Sequence, residues 1–274
     1  MKSIETILEA VFREKAKRLT RTEKKIHDYV IKNPEQVIYS TINQIATILG
    51  VSDASVVRYF VALGYSNFIE FKMDLFKHHD SITKISNGSL SEQIYENIVT
   101  TLDETKNNIN LEDVQKAAEI IVNSDNVVLC GMGVSNITAK DAYSKLLRIG
   151  INIEFVDDAH FLFMRTSLMG KNDVLITYSF TGETNEVIRA SRTAKNNGAK
   201  IISVTSYLLS DLVTKSDIVI KTFGYDKSID LGFNSQKISQ LYVTDLLITC
   251  VALKNREKSL ANIKLTTQSL MEDK

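Results

Sequence analysis

The feature that most constrains this chain is a change of hydrophobic rhythm near Asn126. From there, short β-rich runs at 127–130, 151–156, 174–178, 201–205 and 218–220 alternate with helix-length segments. Such runs are long enough for strands and too short for helices. Strands separated by helices pair in parallel, because each crossover helix must cover a face of the sheet. The expected architecture of this half is an α/β domain, a parallel sheet flanked by helices. Up to about His79 the apolar residues instead recur every three or four positions, which predicts an all-α domain. The bounds read from this change are 1–79 for the helical domain, 80–106 for a linker and connecting helix, and 107–274 for the α/β domain. The linker holds the polar stretch DSITKISNGSLSEQIYEN, with its Asn87 and Gly88.

With 274 residues and 44% hydrophobic content, both domains can bury a core. No apolar run approaches the roughly 20 residues that span a bilayer. The start, MKSIETILEAVFREKAKRL, lacks the features of a secretion signal, so a cytoplasmic protein with no membrane partner is expected. Cys130 and Cys250 lie in apolar surroundings without metal-ligand spacing and are expected to be reduced packing residues. No metal or other cofactor is expected. Formal net charge is zero, and residues 1–79 carry 12 Lys and Arg against 9 Asp and Glu. An excess of three is compatible with nucleic-acid binding without arguing for it.

In the helical half, Thr20 and Glu23 have the spacing of a capping box, and Asn33 before Pro34 is a second helix start. The informative stretch is TINQIATILGVSDASVVRYFVALGYS. Ile42, Ile45, Ala46 and Leu49 share one helical face, Gly50 supplies a left-handed turn, and Ser52 caps the next helix. In that helix Val57, Phe60 and Val61 are expected to face inward, with Ser55, Arg58, Tyr59 and Ala62 opposite. Two short helices joined by a three-residue turn fit a helix-turn-helix whose second helix enters the major groove. Ser52, Ser55, Arg58 and Tyr59 are then the candidate DNA contacts. On spacing alone a small helical bundle fits equally well.

In the α/β half the first strand runs into Gly131-Met132-Gly133-Val134-Ser135-Asn136 and then a helix. Glycines at such a bend let backbone approach a ligand, and free N–H groups at a helix start attract anions. A dinucleotide fingerprint would need glycine where Asn136 stands. The third strand runs into Ser179-Phe180-Thr181-Gly182-Glu183-Thr184, where three hydroxyls and a glycine precede a helix. That makes a neutral cradle for phosphate, although any one of the hydroxyls could simply cap the helix. Both loops lie at the carboxyl ends of strands, where parallel sheets bind ligands.

Together these segments resemble the RpiR family of bacterial regulators, which join an N-terminal helix-turn-helix to a sugar isomerase (SIS) domain. The resemblance is carried by VSDASVVRYFVALGYSNFIEFKMDL, GMGVS, AKDAYSKLLRIG, SFTGET and DIVIKT, and covers nearly the whole chain. It implies a SIS-like, flavodoxin-like three-layer domain, a double-stranded DNA operator, a phosphorylated sugar effector, and a homo-oligomer, dimer or tetramer. It also implies that Ser179, Thr181, Gly182 and Thr184 hold the phosphate and that Gly133 and Ser135 close over the sugar. One departure stands out: Gln236-Lys237 where many members carry Ser-Arg. The alternative is a sugar-phosphate isomerase, since SIS domains also occur in such enzymes. Its acid–base candidates would be Glu183, at a helix start, and His160, in the apolar DDAHFLF; no catalytic residue is expected under the regulator reading.

Overall fold

The computed structural model describes residues 19–68, 70–72, 74–75, 89–208, 210–224 and 235–271. Asn87, Gly88 and the first eighteen residues lie outside them. The chain divides into an N-terminal unit, described from Leu19 to Leu75, and a C-terminal unit that begins at Glu96.

The N-terminal unit opens with α1 (Arg21–Lys32), α2 (Pro34–Tyr39), α3 (Ile42–Leu49) and α4 (Asp53–Ala62). Thr20 and Glu23 form the expected reciprocal capping box. Thr41 and Gln44 form a second one at α3. Pro34 opens α2, but Asn33 does not cap it: its amide donates back to the Tyr29 carbonyl at 3.0 Å and so closes α1 instead. Gly50 takes the left-handed conformation at φ +60°, and the Ser52 hydroxyl accepts from the Ser55 N–H. The chain turns through 107° between α3 and α4, within the helix-turn-helix range.

The inward face of α4 differs from the sequence expectation. Val56, Tyr59, Phe60 and Leu63 are buried with Ile26, Ile45 and Phe71, while Val57 and Val61 are 38% and 54% exposed. Tyr59 turns inward because its hydroxyl finds His27 Nδ1 at 3.1 Å and its ring meets Phe71 edge-on. A satisfied phenol loses little on burial and gains the area of a large ring.

A helix, α5 (Leu90–Asn108), leads into the C-terminal unit; Asn97, Thr101 and Thr105 along it are buried. Then follow α6 (Leu111–Val122), β1 (Asn126–Gly131), α7 (Val134–Arg148), β2 (Ile153–Val156), α8 (Ala159–Ser167) and β3 (Asp173–Tyr178). The remainder is α9 (Asn185–Asn196), β4 (Lys200–Thr205), α10 (Asp211–Lys215), β5 (Ile218–Lys221), α11 (Ser235–Lys254) and α12 (Arg256–Ser269). All strands are parallel, in the order β2-β1-β3-β4-β5.

Alternate residues of each strand face opposite layers. Val127, Leu129, Val174, Ile176, Ile202 and Val204 pack with α6, α7 and α11. Val128, Cys130, Leu175 and Ile201 pack with α8, α9 and α10. This is the expected three-layer α/β domain. Cys130 is fully buried and reduced, whereas Cys250 is only half-buried. Among the described residues no single helix is long and apolar enough to cross a membrane.

Candidate functional site

The strand order reverses direction between β1 and β3, and Gly131 pairs in register with Tyr178. The two loops singled out in the sequence therefore leave the sheet side by side, at a topological switch point.

In the loop after β3, the Ser179 and Thr184 hydroxyls lie 3.1 Å apart, and the Gly182 N–H donates to Ser179 Oγ at 3.2 Å. The Glu183 N–H donates to Thr181 Oγ1 at 3.3 Å. Gly182 takes φ +68°, and a side chain there would meet Ser210 Oγ at 2.1 Å, so the tight turn requires glycine. Although Thr184 sits at the N-cap of α9, its hydroxyl makes no cap hydrogen bond. Capping therefore does not explain this residue. Gly133, at φ +58°, opens α7 equally uncapped by a side chain. By contrast Asn110 and Asp158 cap α6 and α8. The two helices beginning at the switch point thus keep first-turn N–H groups without side-chain caps, the arrangement that receives an anion.

Ser135, in the first turn of α7, is buried, and its hydroxyl accepts from Gln240 Nε2 of α11 at 3.3 Å. Gln240 is 1% exposed and was not singled out in the sequence, where 105 residues separate it from Ser135. Beside Ser135, the buried Asn136 Oδ1 has no hydrogen-bond partner among the described residues. Gln236 and Lys237 stand half-buried in the first turn of α11.

Several loops brace the cradle from behind. The Phe180 carbonyl accepts from Thr205 Oγ1 at 3.1 Å and from the Ser206 N–H at 3.0 Å, and the Gly182 carbonyl accepts from the Leu212 N–H at 3.2 Å. Glu183, weighed as a general base, accepts from the Asp211 N–H at 3.4 Å and so ties the loop to α10. His160 is exposed at the start of α8, where its N–H is held by Asp158. Among the described residues no cluster of His, Cys, Asp or Glu fits a metal ion.

In the N-terminal unit, the exposed face of α4 consists of Asp53, Ala54, Val57, Arg58, Val61 and Ala62, preceded by Ser52. Arg58 Nη2 donates to Ser55 Oγ at 3.0 Å, and Ser55 Oγ lies 2.9 Å from Ser52 Oγ. Ser55 is itself buried, so it orients Arg58 and sits behind the surface. Tyr59, at 1% exposure, leaves the set of surface residues that a groove could meet.

The comparisons with known proteins agree with this arrangement. The helix-turn-helix domain of the rpiR family matches residues 6–81, and the SIS domain matches residues 120–250. An HTH-type transcriptional regulator of Clostridium perfringens is 31% identical over 270 residues, covering 93% of this chain and 95% of its own. The HTH-type transcriptional regulator RpiR of Escherichia coli K12 is 28% identical, covering 93% and 89%. Among solved structures, the Vibrio vulnificus NanR protein complexed with ManNAc-6P shares the fold at a TM-score of 0.78 and 21% identity, over 98% of both chains. The chain belongs to the RpiR family of HTH-type transcriptional regulators, with an N-terminal helix-turn-helix and a C-terminal SIS domain.

Proposed function

We propose that this regulator binds a double-stranded operator through α4 and that a phosphorylated sugar, held between the loops after β1 and β3, controls that binding. The observation that carries the effector site is the paired Ser179 and Thr184 hydroxyls at an uncapped helix start. They can both turn to phosphate oxygens, with Thr181 and Gly182 completing the loop. Gly133 and Ser135 flank the sugar, and Asn136 Oδ1 offers an acceptor to a sugar hydroxyl or amide. The ManNAc-6P bound by the NanR neighbour belongs to this chemical class.

On the DNA side Arg58 supplies the charged donor, pre-set by Ser55, and Ser52 supplies a hydroxyl at the helix start. Val57 and Val61 present methyl groups to the groove. A head of this size makes few contacts, so two heads on a homo-oligomer would meet two half-sites roughly 34 to 36 Å apart or a multiple of that. The chain acts without turnover: Glu183 is engaged with α10, and His160 stands outside the crevice loops.

The test is a thermal-shift titration of the full chain with a panel of phosphosugars that includes ManNAc-6P, followed by operator binding with and without the ligand found. A ligand that binds the native state raises the melting temperature with concentration. The expected result is a shift with a phosphosugar, none with the unphosphorylated sugar, and a changed operator affinity without conversion of the ligand. Conversion of the phosphosugar to an isomer would establish the enzymatic alternative.

A further inference from the structure

Behind the cradle, a set of buried hydroxyls leads away from it toward α5. Thr205, Thr222 and Thr105 are each fully buried. Thr205 Oγ1 donates to the Phe180 carbonyl at 3.1 Å, inside the cradle loop. The Thr205 carbonyl in turn accepts from the Thr222 N–H at 2.9 Å, and Thr222 Oγ1 lies 2.8 Å from Ser206 Oγ. One residue on, the Phe223 N–H donates to Thr105 Oγ1 of α5 at 3.2 Å, and Thr105 Oγ1 donates to the Thr101 carbonyl at 2.8 Å.

Two points make this more than packing. Phe223 lies just past β5, the last strand of the sheet among the described residues, and its N–H is given to a side chain of α5. Valine would fill the space of each threonine, and burying a hydroxyl is costly unless it is bonded. The bond from Phe223 to Thr105 is single and long, so it is the member of the chain that a small displacement breaks.

We propose that these hydroxyls form a relay by which occupancy of the Ser179–Thr184 cradle is transmitted to α5. The proposal rests on the reading of the cradle as the effector site. When Ser179 and Thr184 turn to a phosphate, the bond between them opens and the loop shifts. The Phe180 carbonyl moves with the loop, and Thr205, Ser206 and Thr222 follow it. The register of Phe223 on Thr105 changes with them. From Thr105 to Leu90 the helix runs fifteen residues, about 22 Å, so a small tilt at the Thr105 end is enlarged at the end that continues toward the DNA-binding unit.

Thr101 provides a matched control. It lies one turn from Thr105 on the same helix and is equally buried, yet its hydroxyl has no hydrogen-bond partner among the described residues. The experiment compares Thr105→Val, Thr222→Val and Thr101→Val in the full chain. Operator affinity is measured on a duplex recovered by in vitro selection, with and without the phosphosugar found in the panel, and ligand affinity is measured separately. In the wild-type chain the ratio of the two operator affinities is expected in the usual allosteric range, roughly 5- to 150-fold. Thr105→Val and Thr222→Val should bring that ratio to within about twofold of unity, with ligand affinity within about threefold of wild type, because coupling is separable from binding. Thr101→Val should keep the wild-type ratio, and Thr105→Ser, which restores the hydroxyl, should recover it.

A wild-type ratio in both Thr105→Val and Thr222→Val overturns the relay alone, as does an equal loss in Thr101→Val. If Thr105→Val fails to fold, Thr222→Val decides by the same ratio. A wild-type chain whose operator binding no phosphosugar alters overturns the effector reading, and the relay with it.

Discussion

The hydroxyls of Ser179 and Thr184 face each other at 3.1 Å across the mouth of the loop after β3, although Thr184 occupies an N-cap position where it would ordinarily bond its own helix. Their pairing leaves α9 uncapped and gives both hydroxyls to the same small volume. Ser179→Ala removes one donor to a charged group. This should cost about 1.5 to 3 kcal/mol, a roughly ten- to hundredfold weaker response to phosphosugar, with ligand-free operator binding unchanged. Thr184→Ala should weaken the ligand similarly. Its melting temperature without ligand should stay close to wild type, because no cap bond is lost. A calorimetric titration of both variants, with a melting curve for each, checks the pair; a wild-type dose response in Ser179→Ala removes the cradle from the effector site.

Gly182 is the residue of that loop least tolerant of change. Gly182→Ala incurs the strain of an alanine at φ +68°, about 1 to 3 kcal/mol, and drives a methyl group into Ser210. The variant should lose phosphosugar binding and melt lower. Adding Ser210→Gly empties the space the methyl needs, so the double variant should recover part of the stability but not the cost of the dihedral. Melting curves of the two variants separate these contributions.

On the outward face of α4, Arg58→Ala should weaken operator binding by about 1 to 3 kcal/mol and relax selectivity at one base pair if the guanidinium reads a guanine edge. Uniform weakening across sequences would assign it to phosphate instead. Val57 offers a separate test, since apolar side chains in the major groove discriminate thymine by its methyl group. Replacing the thymines of an operator half-site one at a time by uracil should weaken the wild-type chain at one position and leave Val57→Ala indifferent there.

Burial of Cys130 pushes its thiol up to about 12. A thiol raised in the folded state binds its proton more tightly there than in the unfolded chain, whose thiols titrate near about 8.5. The stabilisation is whole below that pH and is lost as pH rises through the folded value. Melting temperature should therefore begin to fall above about pH 8.5, and Cys130→Ala should flatten the part of the slope below about pH 10. Above that, Tyr59, Tyr65 and Tyr178 join, each raised chiefly by burial. In the native state Cys130 should also resist a thiol reagent that Cys250, half-buried, accepts sooner.

Much of the architecture was legible because it is local. Five strands, the Thr20 capping box, the Gly50 turn and the Ser52 cap each follow from a few neighbouring residues. The orientation of α4 was not. Val56, Val57, Phe60 and Val61 allow two overlapping stripes, and the choice between them lies with His27, 32 residues earlier, which satisfies the Tyr59 hydroxyl. Taking Tyr59 as a surface residue turns the helix by about a quarter-turn and hides the exposure of Val57 and Val61. Asn33 followed the same pattern, since its sequence context fits a cap and its side chain found the Tyr29 carbonyl instead. At the candidate site the two loops were visible as motifs. The partners that set their shape, Gln240, Thr205 and Ser210, come from elements elsewhere in the chain and carry no local signal.

The order of the strands also fixes a timetable for synthesis. Among the described residues the core of the N-terminal unit ends at Leu75, whereas the layer over one sheet face also needs Val243, Leu247 and Val251 of α11. At about 5 to 20 residues per second, the 176 residues from Leu75 to Val251 (251 minus 75) take roughly 9 to 35 seconds to make. For that interval every nascent chain carries a helix-turn-helix whose described core residues are all made and a SIS domain whose sheet still lacks part of the layer on one side.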